Sequence, residues 1–177
     1  CSYMKYCIEC GTKLIKKECI NFGLSEGLIP YCPKCCDFRF PRFNTAVSAV
    51  IFNRDYNKIL LIQQYNRPKN ILVAGYVNKG ENLSHALIRE IKEEVNLDVL
   101  DFIFNESEYY EKSDTLICNF IVRAANEDFK LSEEVDAACW YGIEEAKEVI
   151  YKGGLAEEFL EAAVSKTACL VLNSAQV

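Results

Sequence analysis

Three glutamates lie close together in the segment REIKEEV, at positions 90, 93 and 94. On a helix these positions are three and four residues apart, so like charges become neighbours at a cost of roughly 0.2–0.5 kcal/mol per exposed pair. Clustered carboxylate oxygens suit Mg²⁺ or Mn²⁺, which often complete their coordination with substrate phosphates. The spacing of Glu90, Glu93 and Glu94 therefore predicts a divalent-cation site on one short helix.

The helix itself is predicted by apolar residues at four-residue intervals. Leu83, Leu87, Ile91 and Val95 form one buried stripe, and Asn82 can cap the first turn. The glutamates lie at the edge of this stripe. We therefore expect their carboxylates at the border of the buried face rather than in open water.

Four of the ten cysteines form two CxxC pairs, YCIECG and YCPKCC. Two such pairs typically complete a tetrahedral thiolate shell for structural Zn²⁺, which leaves no open position for catalysis. The predicted ligands are Cys7, Cys10, Cys32 and Cys35. A redox dithiol is the alternative, but two copies in so short a segment argue against it.

The segment from Gly75 to Leu97 resembles the Nudix box, GX5EX7REUXEEXGU. Gly75, Glu81 and the run from Arg89 to Leu97 match every specified position except Asn96, where the family has glycine. Asparagine is the usual second choice for a left-handed helix cap. The departure therefore bears on how the helix ends and hardly on its chemistry.

The resemblance implies roles for these residues. Nudix domains are α/β/α sandwiches in which the REUXEE glutamates hold the catalytic metal, so it implies that Glu90, Glu93 and Glu94 are ligands. Gly75 would offer its carbonyl to the metal, and Glu81 and Arg89 would brace the loop and the helix.

Many Nudix enzymes also use a glutamate on a later loop. Glu134, in EEVDAACWY, occupies the matching position; a solvated turn carboxylate is the alternative. Either Glu93 or Glu134 is a candidate general base for an attacking water.

The implied reaction is hydrolysis of a nucleoside diphosphate linked to X, giving a nucleoside monophosphate and phospho-X. A zinc ribbon before a Nudix domain resembles the NADH pyrophosphatase architecture. The SQPWPFPxS motif of that group is absent, and FNESEYYEKSDT stands in its place. The polar run NESEYYEKSD predicts a loop over residues 105–114. Tyr109 and Tyr110 in this loop are candidates for stacking on a base; two partly exposed loop tyrosines are the alternative.

The composition predicts two parts, a zinc ribbon over residues 1–42 and a Nudix domain over 43–177. The first part carries seven Lys/Arg and four Asp/Glu, and the second thirteen and twenty-two. So acidic a second part is poorly suited to bind a nucleic-acid backbone unaided. The basic ribbon leaves open a nucleic-acid contact, a dimer contact or a solvated surface.

Strand-like runs before and after the glutamate helix predict an α/β fold with a mixed sheet. No apolar run is long enough for a membrane span, the first residues lack a secretory pattern, and the cysteine usage suggests a reducing cytoplasm. The family resemblance makes a homodimer plausible. Besides a hydrolase of small nucleotides, an NAD(H) pyrophosphatase, an NAD-cap RNA decapping enzyme, and a catalytically silent nucleotide-sensing or nucleic-acid-binding protein remain open.

Overall fold

The computed structural model describes residues 4–174, with side chains described up to residue 168. The chain divides between Phe43 and Asn44 into two compact units. The first unit is an antiparallel three-stranded sheet of β1 (Ile15–Asn21), β2 (Leu24–Cys32) and β3 (Asp37–Phe38). The β1–β2 turn is made by Phe22 and Gly23, whose φ angles of 50° and 79° are both left-handed, as two-residue hairpin turns require.

The second unit is a six-stranded mixed sheet with helices on both faces. Its strands are β4 (Asn44–Phe52), β5 (Lys58–Gln64), β6 (Val73–Tyr76), β7 (Val99–Tyr110), β8 (Thr115–Ala124) and β9 (Val135–Gly142). Its helices are α1 (Leu83–Val95), a 3-10 turn (Glu111–Ser113), α2 (Ile143–Val149) and α3 (Leu155–Ser174). The strand order is β7-β8-β4-β5-β9, and β6 pairs with β4.

Strand β4 organises this sheet. It pairs in parallel with β8 along its whole length, and its other edge is divided between β6 and β5. Val47 of β4 lies opposite Gly75 of β6, and Ile51 lies opposite Leu60 of β5. This register places the end of β6 beneath α1, which follows it in the chain.

Alternation along the strands creates two cores, one on each face of the sheet. On one face, Ile51 and Ile62 pack with Ile91 of α1. On the other, Phe52 and Ile59 pack with residues of α2 and α3. Each large side chain buried in this way contributes about 1.5–3 kcal/mol. The result is the α/β/α sandwich that the sequence predicts.

Helix α1 begins and ends where the sequence predicts. The side chain of Asn82 accepts a hydrogen bond from the backbone N–H of His85 at 2.9 Å. Asn96 has φ 55° and ψ 27°, and its N–H donates to the carbonyl of Lys92. Asparagine thus fills the left-handed cap in place of the family glycine.

The loop predicted over residues 105–114 is wrong for most of its length. Strand β7 continues to Tyr110, where Tyr109 pairs with Leu116 and Tyr110 with Thr115. The polar residues of this segment lie on an edge strand, where their side chains are solvated. In a buried strand the same side chains would lose their hydration. Only a short 3-10 turn (Glu111–Ser113) connects β7 to β8. Across residues 4–174, no helix combines the length and the apolar character needed to cross a membrane.

Candidate active site

Arg89 ties α1 to the loop that precedes it. Its Nε and Nη2 donate to the two carboxylate oxygens of Glu81, both at 2.8 Å, and Nη2 also donates to the carbonyl of Tyr76 at 3.0 Å. The backbone N–H of Asn78 donates to Glu81 as well. Hydrogen bonds from Arg89 and from Asn78 lower the pKa of Glu81 to about 2. The Glu81–Arg89 pair therefore braces the loop against the helix.

The same guanidinium compensates part of the negative charge on α1. Nη1 of Arg89 donates to Glu90 at 2.6 Å and to Glu93 at 3.0 Å. The sequence analysis predicts a divalent cation as the compensating charge. The structure shows that Arg89 supplies one positive charge to this group. The negative charges of the carboxylates still outnumber it.

Glu94 lies in a different environment. Its side chain is buried, with only 5% of the residue exposed, and Nε2 of Gln64 donates to its Oε1 at 2.9 Å. Its Oε2 is buried without a hydrogen-bond partner among the described residues. Burial raises the pKa of Glu94 to about 7, against the hydrogen bond from Gln64, and the charges of Glu90, Glu134 and Glu93 add to the rise.

Gly75 lies directly against Glu90. A Cβ built on Gly75 would lie 1.9 Å from Cδ of Glu90 and 2.2 Å from each of its carboxylate oxygens. The absence of a side chain at this point of β6 is therefore what lets the Glu90 carboxylate reach the backbone of the strand. The structure therefore brings the backbone of β6 at Gly75 and the carboxylate of Glu90 together.

The donor set on α1 fits a hard divalent cation. It offers carboxylate oxygens from Glu90, Glu93 and Glu94, one of them buried and unpartnered. Among the described residues, however, only the four cysteines have all their ligand atoms within 4.8 Å of one another. The three carboxylates have different partners: Nη1 of Arg89 contacts both Glu90 and Glu93, while Gln64 contacts Glu94.

The loop that carries Glu134 packs on the end of α1. The N–H of Ser132 donates to the carbonyl of Glu94 at 3.1 Å, and the N–H of Glu134 donates to the hydroxyl of Ser132 at 3.3 Å. Glu134 is exposed, and its charge raises the pKa of Glu94. The structure therefore brings Glu134 to the same side of the fold as the three glutamates.

Tyr109 and Tyr110 lie at the end of β7, on the sheet edge, and both are exposed. Tyr109 pairs with Leu116 of β8, and Leu116 pairs with Thr45 of β4. The carbonyl of Thr45 in turn accepts a hydrogen bond from the N–H of Val77. Three strand spacings separate this end of β7 from the residues after β6, which is roughly 14 Å. The tyrosines are thus at the same end of the sheet as the loop over residues 76–81. Tyr109 also donates a hydrogen bond to Asp114.

The four predicted zinc ligands converge in the first unit. The Sγ atoms of Cys7 and Cys35 are 3.9 Å apart, and those of Cys10 and Cys32 are 3.5 Å apart. Tetrahedral Zn²⁺ with bonds of about 2.3 Å places its sulfurs roughly 3.8 Å apart. The cluster therefore fits a zinc ion.

Hydrogen bonds move the pKa values of these neighbouring thiols in opposite directions. Burial alone would raise the pKa of Cys7, but hydrogen bonds from Arg39 and from the backbone lower it to about 6. Hydrogen bonds to Cys10 and Cys32 raise the pKa of Cys35 to about 12. Four neighbouring sulfurs ionise together only when a metal compensates their charge.

Two side chains of these sites were missed by the sequence reasoning. Gln64 contacts Glu94, and buried Arg39 donates to Cys7 at 3.3 Å. Gln64 left one signal in the sequence, a polar residue at the position that follows Leu60 and Ile62 on one face of the strand. Arg39 left none, because its partner lies thirty-two residues earlier in the chain.

Comparison with known proteins decides the family. A sequence model described as the NUDIX domain matches residues 42–162, about two thirds of the chain. The chain belongs to the Nudix family. This confirms the resemblance of the segment from Gly75 to Leu97 and the predicted fold class.

Curated Nudix relatives match most of the chain at low identity. One is "NAD-capped RNA hydrolase NudC" of Vibrio atlanticus, 24% identical over 89% of this chain and 56% of the relative. Another is "Nudix hydrolase 19, chloroplastic" of Arabidopsis thaliana, 26% identical over 82% of this chain and 34% of the relative. The chain thus spans about half of the first relative and about a third of the second.

A solved structure supports the fold of this Nudix chain. The crystal structure of a NUDIX hydrolase from Nitrosomonas europaea superposes with a TM-score of 0.63. The match covers 89% of this chain and 88% of that one at 23% identity. At this identity the likeness shows the fold alone.

Proposed function

We propose that this Nudix chain is a metal-dependent pyrophosphohydrolase. It cleaves a nucleoside diphosphate linked to X into a nucleoside monophosphate and phospho-X. The observation that carries the proposal is the buried, unpartnered Oε2 of Glu94 beside the carboxylates of Glu90 and Glu93. An acceptor buried without a donor is costly unless a ligand completes it.

Glu90, Glu93 and Glu94 would hold Mg²⁺ or Mn²⁺, together with the carbonyl of Gly75. When bound, the cation neutralises the diphosphate, stabilises charge in the transition state and lowers the pKa of a water. Arg89 and Glu81 keep the preceding loop against α1, so that Gly75 and Glu90 stay in contact.

A carboxylate of this chain accepts the proton of the attacking water. Glu93 is 59% exposed at its side chain, and Glu134 is exposed at the turn before β9. Both can therefore reach solvent, whereas Glu94 is buried. Glu93→Gln and Glu134→Gln distinguish them: the general base is the residue whose loss removes the acid limb of the pH–rate profile.

We propose NAD(H) or an NAD-capped RNA as the finer substrate class; the zinc-ribbon architecture supports the first and a relative the second. NudC of Vibrio atlanticus is named for hydrolysis of NAD-capped RNA. The absence of the SQPWPFPxS motif of NADH pyrophosphatases weakens the assignment to NADH itself. We propose that Tyr109 or Tyr110 contacts the base instead, since roughly 14 Å is within the length of an extended dinucleotide.

A substrate panel with Mg²⁺ or Mn²⁺ tests the proposal. It comprises NADH, NAD⁺, ADP-ribose, diadenosine polyphosphates, FAD, nucleoside triphosphates and a short NAD-capped RNA. Nucleoside monophosphate is the expected product, or a 5′-monophosphate RNA from the capped substrate. Turnover of the capped RNA with a steep salt dependence would indicate strand contacts by the basic ribbon. If the protein binds metal but turns over none of these compounds, the proposed hydrolase activity is contradicted and a nucleotide-sensing function is favoured.

We further propose that residues 1–42 form a zinc ribbon and residues 43–177 the Nudix domain; residues 1–3 and 175–177 lie outside the described part. The Cys7, Cys10, Cys32 and Cys35 cluster supports structural Zn²⁺. We also propose that the protein forms a homodimer. Light scattering of the zinc-loaded protein tests this.

A further inference from the structure

Strand β5 presents an apolar face to α1 that ends in a polar residue. Leu60 and Ile62 lie on this face and belong to the core beneath α1. The two-residue period of a strand places Gln64 next on the same face, and Gln64 is likewise buried. An amide at this position costs free energy unless it is hydrogen-bonded.

The partner of that amide is Glu94. Nε2 of Gln64 lies 2.9 Å from Oε1 of Glu94, and both residues are buried. Of the two carboxylate oxygens, Oε1 is therefore occupied and Oε2 is left without a partner among the described residues. The hydrogen bond fixes the orientation of the carboxylate and selects which oxygen stays available.

The choice of a neutral donor distinguishes Glu94 from its neighbours. Glu90 and Glu93 share the positive charge of Arg89. Gln64 supplies a hydrogen bond and no charge, so the ionised carboxylate of Glu94 keeps its full attraction for a cation. An arginine or lysine in place of Gln64 would occupy the oxygen and also cancel the charge.

The backbone around Gln64 is held from both sides. The register between β5 and β9 shifts at Gln64, which pairs with Val135, so that Asp136 is the extra residue of the bulge. The carboxylate of Asp136 accepts the N–H of Asn66 at 2.6 Å, and Asn66 itself has a left-handed φ of 53°. Bulges of this kind re-aim side chains beside functional sites.

We infer that Gln64 is a positioning residue, which holds the Glu94 carboxylate so that Oε2 faces the divalent cation. This inference rests on the proposed function, because it concerns the same cation. It adds a residue outside the Nudix box, thirty positions earlier in the chain, to the set that determines metal affinity. Partners of metal ligands typically change affinity by about 10–100-fold when they are removed.

The test compares two neighbouring glutamines in the zinc-loaded 177-residue chain. Gln64→Met removes the donor at similar volume. Gln63→Met is the matched control, since Gln63 lies on the other side of β5 and donates to Asn70 at 2.8 Å. Mn²⁺ is titrated without nucleotide, and free Mn²⁺ is read by electron paramagnetic resonance. We expect Gln64→Met to raise the Kd for Mn²⁺ by about tenfold or more and Gln63→Met to leave it unchanged.

A double-mutant cycle shows whether Gln64 acts through Glu94. With Glu94→Gln in place, Gln64→Met is expected to cause no further loss of Mn²⁺ affinity. Additive losses would overturn the inference, and so would unchanged Mn²⁺ binding by Gln64→Met. If Gln64→Met does not fold, Gln64→Asn serves instead, because its amide is one methylene too short to reach Glu94. Wild-type affinity in Gln64→Asn would then overturn the inference.

The same titration separates this inference from the proposed function. A wild-type protein that binds no Mn²⁺ contradicts both. A wild-type protein that binds Mn²⁺ and hydrolyses a substrate, while Gln64→Met binds Mn²⁺ equally well, contradicts the inference alone. We also expect saturating Mn²⁺ to restore most of the kcat of Gln64→Met, which a purely structural defect would not allow.

Discussion

Gly75 and Glu90 occupy what would otherwise be the same space. A Cβ on Gly75 would fall 1.9 Å from Cδ of Glu90, although the two residues lie on different elements, β6 and α1. The glycine of the Nudix box is therefore explained here by close approach of a carboxylate to the strand. The backbone of Gly75 and the carboxylate are neighbours because no side chain separates them.

The contact predicts the effect of Gly75→Ala. The new methyl would displace the far end of the Glu90 side chain, so we expect Mn²⁺ affinity to fall by about tenfold or more while the melting temperature changes little. Gly142→Ala is the matched control, because a Cβ there meets nothing within 4 Å. Equal Mn²⁺ affinity in the two variants would contradict the role of this contact.

Glu94→Gln is expected to abolish most turnover without unfolding the chain. The amide is nearly isosteric and keeps a polar group beside Gln64, but it removes the charge that attracts the cation. Metal ions contribute several kcal/mol to such reactions, so we expect kcat/KM to fall by roughly 10²–10³-fold. Steady-state kinetics with Mg²⁺ and circular dichroism measure the two effects. Glu148→Gln, an exposed carboxylate on α2, is the control, and retained activity in Glu94→Gln would refute the ligand assignment.

The Glu81–Arg89 pair predicts a pH-dependent contribution to stability. Hydrogen bonds from Arg89, with one from the backbone of Asn78, lower the pKa of Glu81 from 4.5 to about 2. A lowered folded-state pKa stabilises the fold fully above the unfolded value and loses this contribution as pH falls from about 4.5 towards 2. At pH 7 the wild type should therefore have a higher melting temperature than Glu81→Gln. The difference in melting temperature should shrink below pH 4.5.

Thermal melts of both proteins between pH 7 and pH 2.5 measure this difference. Glu133→Gln, an exposed carboxylate in the loop before β9, serves as the control for a general charge effect. A difference between wild type and Glu81→Gln that stays constant down to pH 2.5 would contradict the proposed linkage.

Replacing a cluster cysteine is expected to act on the ribbon alone. Cys7→Ser should lose the bound zinc and the hydrogen-exchange protection of β1 and β2, because structural Zn²⁺ supplies much of the folding free energy of such small units. Protection in β4 and β8 should persist. Cys36→Ser is the control, since the Cys36 thiol donates to the carbonyl of Pro33 and lies outside the four-sulfur group. Mass spectrometry measures the zinc content. A normal zinc content in Cys7→Ser would rule out the predicted ligand set.

Much of the site could be predicted because its determinants are local. Asn82 and Asn96 set the ends of α1, and the carboxylates lie on one side of that helix by its period alone. The CxxC pairs likewise place two sulfurs together within each short turn. Each of these features depends on residues within a few positions of one another, so the amino-acid sequence by itself determined them.

The remaining features depend on contacts between distant segments. Residues 105–110 look like a loop in isolation, but pairing with β8 makes them a strand. The hydrogen bond from Gln64 to Glu94 spans thirty residues, and that from Arg39 to Cys7 spans thirty-two. Strand register and sheet order decide which side chains meet across such distances, and a one-residue shift would turn Gln64 to the other face. Only the tertiary structure decided how Glu94 is held.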